Sequence, residues 1–192
     1  SANDVIYEVE IANSAAPRFN NDSGYVLHVL PAHLELALAE ERLFFEIDRE
    51  RILAKKLAPI VSSYDFIIID CPPSLGGLTK NALCAAGGVW IPVSPGSFQI
   101  VGLNLLQSTI ERIRQINPSL NIDGVIPVMM ENTSVSKDTI SELSQWFGNL
   151  VTTPIPKRVS MQESVTAGMD IFVYHPRGDA AANSWELVLY IE

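Results

Sequence analysis

Five short runs of apolar residues, rich in Val and Ile, constrain the fold of this chain more than any other feature. None of them alternates apolar with polar residues, which is the pattern of a strand that keeps one face in water. Each run therefore predicts a strand covered on both faces, as in a parallel sheet. The predicted strands are 25–30, 66–70, 89–93, 124–130 and a weaker run at 151–155.

Segments with helical periodicity separate these runs. Their apolar residues recur three and four positions apart, with charged residues on the other side. The predicted helices are 32–45, 47–60, 103–113 and 136–147. Strands that alternate with helices predict an α/β fold, with a mainly parallel sheet and helices on both faces. The polar segment 15–24 is expected to be a surface loop.

The composition predicts a single globular domain over residues 1–192. Hydrophobic residues make up 47% and charged residues 18%, which excludes a disordered or fibrous chain. Cys71 and Cys84 are too few for a disulfide framework or a four-ligand zinc site, and Cys71 is expected to be a small buried residue. No run is long enough to cross a membrane and no secretory signal is seen, so we expect a cytoplasmic protein.

The strongest chemical signal is segment 64–74, which reads Tyr-Asp-Phe-Ile-Ile-Ile-Asp-Cys-Pro-Pro-Ser. An apolar strand ends at Asp70, and Pro72 and Pro73 prevent it from continuing. Ligands of open α/β sheets bind beyond the carboxyl ends of the strands. A carboxylate at that place can hold a water molecule of Mg²⁺, as the Walker B aspartate does in phosphoryl-transfer proteins. The alternative is that Asp70 only caps the turn or helix that follows.

Segment 64–76 resembles the Walker B and switch segment of the ParA/MinD family of ATPases, and is most similar to the ParA partition branch. The similarity extends over roughly residues 25–190, through the segments 29–32, 78–83, 89–93, 98–106, 154–159 and 174–182. The resemblance implies a P-loop NTPase-like fold that binds ATP or ADP with Mg²⁺.

The resemblance also implies roles for individual residues. Asp70 would be the catalytic residue and would bind Mg²⁺ through water. The switch II turn, which changes shape on hydrolysis, would consist of Pro72, Pro73, Ser74 and Gly76. The nucleotide-binding positions, in loops after two strands, would be Met130, Asn132, Pro156, Lys157 and Arg158. The alternatives are core filling for the methionines and a solvated loop for Lys157 and Arg158.

The family's phosphate-binding loop is not found in this sequence. No Gly-x-x-x-x-Gly-Lys-Ser/Thr pattern occurs, and Gly76-Gly77 has no lysine set to hold phosphate. We therefore expect the chain to lack the N-terminal Walker A unit of the family. Three explanations remain open: a fragment of a full ATPase, a natural short paralogue without ATPase activity, or residues before Ser1 that the sequence omits.

The resemblance implies an ATPase that works as an ATP-bound homodimer to partition or position DNA or a protein cargo. The alternative is a non-hydrolysing ParA-like scaffold or partner subunit. A ParB-like activating partner and non-specific DNA are also implied, which would associate the protein with the nucleoid. The net charge of −9 weakens DNA binding, and ordinary surface charge is the alternative role of the available cations, Arg112, Arg114, Lys137, Lys157, Arg158 and Arg177. No membrane partner is expected, because segment 183–192 has no Lys or Arg.

Overall fold

The computed structural model describes residues 7–9, 27–33, 35–43, 45–96 and 98–191. The loop expected at 15–24 and the start of the strand expected at 25–30 lie outside these residues. The strands and helices follow one another in the order β1 (Tyr7–Val9), β2 (Leu27–Val29), α1 (Leu36–Leu43), α2 (Ile52–Leu57), α3 (Gly77–Ala85), β3 (Gly88–Val93), α4 (Phe98–Ile113), β4 (Asn121–Pro127), α5 (Ser134–Phe147), α6 (Val159–Thr166), α7 (Ile171–Tyr174) and α8 (Asp179–Ile191). The α/β class is therefore confirmed.

The described strands form two pairs, and the pair formed by β3 and β4 is parallel, as the sequence predicts. β1 pairs with β2, and β3 pairs with β4. The Asn121 N–H donates to the Gly87 carbonyl at 3.0 Å and the Val128 N–H donates to the Val93 carbonyl at 2.8 Å, so β3 and β4 advance in the same direction. Residues 151–156 continue this parallel pairing on β4 through two isolated bridges only, rather than as a regular strand.

The prediction of a strand at 66–70 is wrong. Residues 66–72 have no regular secondary structure, and no described strand pairs with them. Phe66 is 64% exposed and Ile68 is 89% exposed. A strand covered on both faces needs neighbouring strands along its edges and layers above and below it. The described part of the chain supplies no neighbouring strand to this segment, and all of its apolar residues except the half-buried Ile69 are exposed.

Two predicted helices are shorter than expected, and two others, α4 and α5, start earlier than predicted. The helix predicted at 32–45 is Leu36–Leu43, and the one at 47–60 is a 3₁₀ turn at Arg49–Arg51 followed by α2. Asp48 separates them because its φ of 58° does not continue a helix. α5 begins before residue 136 because the Thr133 side chain caps it, accepting a hydrogen bond from the Ser136 N–H at 3.2 Å.

The described residues divide into two compact units. The first contains 28–89 and 102–121 together with β1, and the second contains 90–101 and 122–191. The first unit buries Thr79 and residues 81–84 of α3 and, on and after α4, Ile110, Ile113 and Leu120. The second buries the core residues Val93, Val125, Ile126, Leu143, Ile171, Ala180 and Ala181. The single domain inferred from composition stays a prediction.

Candidate functional site

Asp70 lies in the first unit, in the extended segment that precedes the Pro-Pro turn. Its side chain is exposed, and so is that of Cys71, contrary to the buried position expected for this cysteine. Pro72 and Pro73 end the segment, because they cannot donate backbone hydrogen bonds to a neighbouring strand and they disfavour a helix at the residue before them. Partial desolvation, and after it the charge of Asp70, raises the pKa of the Cys71 thiol. Cys71 is therefore mainly a protonated thiol at neutral pH and is a poor nucleophile.

The turn at 72–76 is tied to the helix that follows it. The Ser74 N–H donates to the Pro72 carbonyl at 2.7 Å, and the Thr79 hydroxyl donates to the Ser74 carbonyl at 2.6 Å. Thr79 is buried in α3, whereas the Pro72, Pro73 and Ser74 side chains are exposed. The turn predicted as switch II thus presents its side chains to solvent while its backbone is held from one side.

α3 is fixed by two asparagines at separate places in the first unit. The Asn81 amide nitrogen donates to the Arg49 carbonyl at 2.7 Å, and its amide oxygen accepts from the Leu53 N–H at 3.1 Å. The Asn117 amide nitrogen donates to the Leu83 and Ala86 carbonyls, at 3.0 and 2.7 Å. These bonds join the helix after the turn to the 3₁₀ turn at Arg49–Arg51, to α2 and to the loop after α4.

The sequence interpretation missed Asn81 as a structural residue. An asparagine inside a helix is a weak helix former, since its side chain competes for backbone hydrogen bonds. The signal in the sequence was therefore an Asn within the segment that begins at Gly77, since an Asn inside a helix can hydrogen-bond a neighbouring element.

Two of the predicted nucleotide-binding loops meet at the end of β4 in the second unit. The Met130 N–H donates to the Ile155 carbonyl at 3.1 Å, and the Lys157 N–H donates to the Met130 carbonyl at 2.9 Å. Met130 and Pro156 form a parallel bridge. The parallel pairing of β4 with 151–156 places both loops at one end of these strands, which is why they converge.

The methionines at this point differ in exposure. Met130 is 6% exposed, so its side chain fills the core, whereas Met129 is 61% exposed. Met129 also has a φ of 55°, a left-handed conformation that is uncommon for a residue other than glycine and that concentrates at functional sites. Sequence reasoning chose Met130 as the binding position, and the exposed side chain belongs to its neighbour.

The charged residues of these loops are paired with carboxylates. Lys157 Nζ lies 3.5 Å from Glu131 Oε1, which joins the two loops. Arg158 Nε donates to both carboxylate oxygens of Asp179 at 3.0 Å each, at the start of α8. Asn132 is exposed and Pro156 is half-buried. Because both cations are paired with carboxylates, a ligand of these loops would contact mainly their backbone and their neutral side chains.

A magnesium ion fits Asp70 only with help from other ligands. Within the described ranges, no group of three His, Cys, Asp or Glu side chains is placed to hold a metal ion. Mg²⁺ is commonly held by one or two carboxylates together with waters and substrate phosphates. One exposed carboxylate beside a tethered turn is consistent with that mode. None of the described helices combines the length and the apolarity needed to cross a membrane.

Known proteins are similar to this chain in sequence and in fold. A family profile described as an AAA domain matches residues 2–122. The chromosome-partitioning ATPase Soj of Treponema pallidum is 39% identical over 163 residues, which cover 83% of this chain and 64% of that protein. The sporulation initiation inhibitor protein Soj of Bacillus subtilis is 39% identical over 158 residues, covering 81% of this chain and 62% of that protein.

A solved structure is also similar to this chain in sequence and in fold. Cobyrinic acid a,c-diamide synthase from Mycobacterium smegmatis, with bound ADP and magnesium, has a TM-score of 0.68 at 30% identity, covering 88% of this chain and 63% of that chain. The parallel α/β architecture shared with such proteins is that of P-loop ATPases. Within that class, the chain belongs to the ParA/MinD family. It spans less than two thirds of the length of either Soj protein.

Proposed function

We propose that the protein carrying this sequence is a ParA-like ATPase that binds ATP or ADP with Mg²⁺ and hydrolyses ATP as a homodimer. The segment 64–76 carries the proposal, because it combines the Walker B resemblance with an exposed Asp70 at the start of a turn tied to α3. The 39% identity to a chromosome-partitioning ATPase supports it. The cargo class that follows is DNA or a protein that the ATPase partitions or positions.

In this proposal Asp70 acts through its charge. A bound Mg²⁺ would neutralise the phosphate oxygens of the nucleotide, and Asp70 would hold one of the water molecules around the ion. The turn formed by Pro72, Pro73, Ser74 and Gly76 would respond to the state of the nucleotide. Its exposed side chains and one-sided backbone tether leave it room to change shape.

The loops at the end of β4 would receive the base. Two hydrogen bonds join the backbones of these loops, and the Lys157–Glu131 ion pair joins their side chains. Asn132 would supply a neutral amide, and Pro156 with the backbone of Met130, Lys157 and Arg158 would form the adjoining wall. The exposed Met129 adds a flexible apolar side chain, which suits contact with a flat ring.

DNA and a ParB-like activating protein are the partners we propose. Three of the six candidate cations, Arg114, Lys157 and Arg158, are already paired with carboxylates. DNA contacts would therefore fall mainly on the exposed Arg112, Lys137 and Arg177. A footprint of three cations predicts weak binding whose affinity falls only modestly with salt, because the salt dependence scales with the number of phosphates neutralised.

The experiment that tests the proposal is Asp70→Asn in the full-length protein. Asparagine keeps the size of the side chain and can still cap a turn, but it loses the charge that attracts Mg²⁺. We expect an unchanged melting temperature and a fall in hydrolysis of about a hundredfold, the usual cost of removing one stabilising group at a catalytic centre. The matched control is Asp65→Asn, an exposed carboxylate of the same segment, which should leave hydrolysis unchanged.

Normal hydrolysis in Asp70→Asn with an unchanged magnesium optimum would rule out the Walker B assignment. A wild-type protein that binds no nucleotide would favour the scaffold or partner subunit instead. That second candidate rests on the absence of a Gly-x-x-x-x-Gly-Lys-Ser/Thr pattern from the 192 residues.

A further inference from the structure

The first turn of α3 carries a carboxylate from another helix. Glu40 of α1 accepts a hydrogen bond through Oε1 from the Gly77 N–H, and a longer one from the Leu78 N–H at 3.4 Å. The first N–H groups of a helix have no partner within the helix, and the helix dipole favours a negative charge beside them. Glu40 therefore holds the point at which the turn 72–76 becomes helix.

Gly76 makes room for this carboxylate. A Cβ atom at Gly76 would overlap Glu40 Oε1, whereas a Cβ at Gly77 would lie 3.5 Å from the nearest Glu40 atoms. The φ of Gly76 is −73°, which any residue can adopt, so its backbone does not require glycine. An alanine at residue 76 would therefore displace the Glu40 carboxylate, which is the end of a flexible side chain, whereas an alanine at residue 77 would leave the carboxylate in place.

The rest of α3 does not depend on Glu40. Asn81 and Asn117 hold the middle and the end of the helix, and its side chains Ala82 and Leu83 are buried. A cavity of about 260 Å³ borders Glu40 and is lined in part by Arg49 and Lys80. Water in such a polar cavity could reach the Gly77 and Leu78 amides if the carboxylate were removed. Loss of Glu40 should therefore free the end of the turn without unfolding the helix.

We infer that Glu40 is a positioning residue for the turn 72–76. It fixes the end of the turn that joins α3, and thereby the positions from which the turn and the preceding Asp70 respond to nucleotide. This inference rests on the proposed function for its effect on hydrolysis. The restraint on the turn itself is independent of that function. Glu40 touches neither ligand nor metal in this role, and it acts through the Gly77 and Leu78 amides.

The test compares Glu40→Ala, Gly76→Ala and the control Gly77→Ala in the full-length protein. The first readout is amide hydrogen exchange, at residues 74–78 and separately at Ala82 to Cys84. We expect exchange at residues 74–78 to rise about tenfold in Glu40→Ala and in Gly76→Ala, with no change at Ala82 to Cys84, because local opening needs only the contacts at that place to be lost. Gly77→Ala should change neither region.

The second readout is ATP hydrolysis. We expect kcat to fall by about tenfold or more in Glu40→Ala and Gly76→Ala with little change in KM, since a displaced reacting group is costly while base contacts are kept. Glu40→Gln should be intermediate, because its amide oxygen still accepts but carries no charge. The double variant Glu40→Ala with Gly76→Ala should have a kcat no lower than that of Glu40→Ala alone, because both changes remove the same contact.

Unchanged exchange at residues 74–78 in Glu40→Ala would overturn the inference. Raised exchange with an unchanged kcat would also overturn it, since Glu40 would then be a helix cap and nothing more. A wild-type protein without hydrolysis would count against the proposed function alone, and the exchange measurements would still decide whether Glu40 restrains the turn.

Discussion

Arg158 and Asp179 form a forked ion pair at the start of α8. Both oxygens of the carboxylate accept from Arg158 Nε at 3.0 Å, and one also accepts from the Arg158 Nη2. This hydrogen bonding, followed by the attraction between the charges, holds the pKa of Asp179 below its ordinary value of 3.8. A carboxyl group with a lowered pKa stabilises the folded state fully above its unfolded pKa, and loses that contribution as the pH falls through its folded pKa.

We predict that Asp179→Asn lowers the melting temperature slightly at neutral pH and that this difference shrinks only below pH 3.8. The effect should be small because the pair is exposed and screened by water. Thermal unfolding of both proteins, followed between neutral pH and about pH 3, would measure the difference in melting temperature. In an Arg158→Gln background the same substitution should show a much weaker pH dependence. A difference that stays constant into acid would show that the pair does not set the pKa.

Residue-level reasoning from sequence located the site but not the orientation of its side chains. The pattern around Asp70 gave a carboxylate before a Pro-Pro turn, and the structure has that carboxylate exposed. The pattern favoured Met130 over Met129, and it could not show the left-handed φ of Met129, which decides which of the two side chains faces solvent. Glu40 was beyond reach, since it contacts Gly77 from 37 residues away.

At the level of elements, the pairing of β3 with β4 contains a close contact between an aromatic ring and a glycine. A Cβ atom at Gly124 would overlap the six-membered ring of Trp90. Ring atoms of a packed tryptophan cannot move aside as the end of a flexible side chain can. The glycine is therefore needed for the ring to lie across β4.

We predict that Gly124→Ala destabilises the protein by about 1–3 kcal/mol, the usual cost of an added methyl in a packed place. Gly87→Ala is the matched control, because no atom lies within 4 Å of a Cβ at that position. Denaturant unfolding of both variants measures the difference. Adding Trp90→Leu to Gly124→Ala should recover part of the loss, and equal unfolding of the two alanine variants would contradict the assigned contact.

The elements best predicted from sequence are those whose partners lie within the described residues. The runs at 89–93 and 124–130 became paired strands, and the helix at 136–147 formed with a threonine cap. The run at 66–70 has the composition of a central strand but no described strand beside it. Hydrophobic patterning indicates how much burial a segment is suited to, whereas strand formation also requires partners that the segment itself does not contain.

For the whole molecule, the sequence contains the Walker B segment without a phosphate-binding loop. Phosphoryl transfer depends mostly on positioning and on stabilising charge at the phosphates. We therefore predict that the 192-residue chain by itself does not hydrolyse ATP at a useful rate. Phosphate release measured with and without Mg²⁺ tests this. Magnesium-dependent turnover that Asp70→Ala abolishes would show that these residues suffice for catalysis.

The unequal exposure of the two cysteines makes the chain suitable for fluorescent labelling without any cysteine substitution. Cys71 is exposed and Cys84 is buried in α3, so a maleimide dye would attach selectively at Cys71. The raised pKa of this thiol means that labelling proceeds faster in mildly alkaline buffer. The dye would then stand one residue from Asp70 and immediately before the Pro-Pro turn, where its emission can follow nucleotide addition in real time.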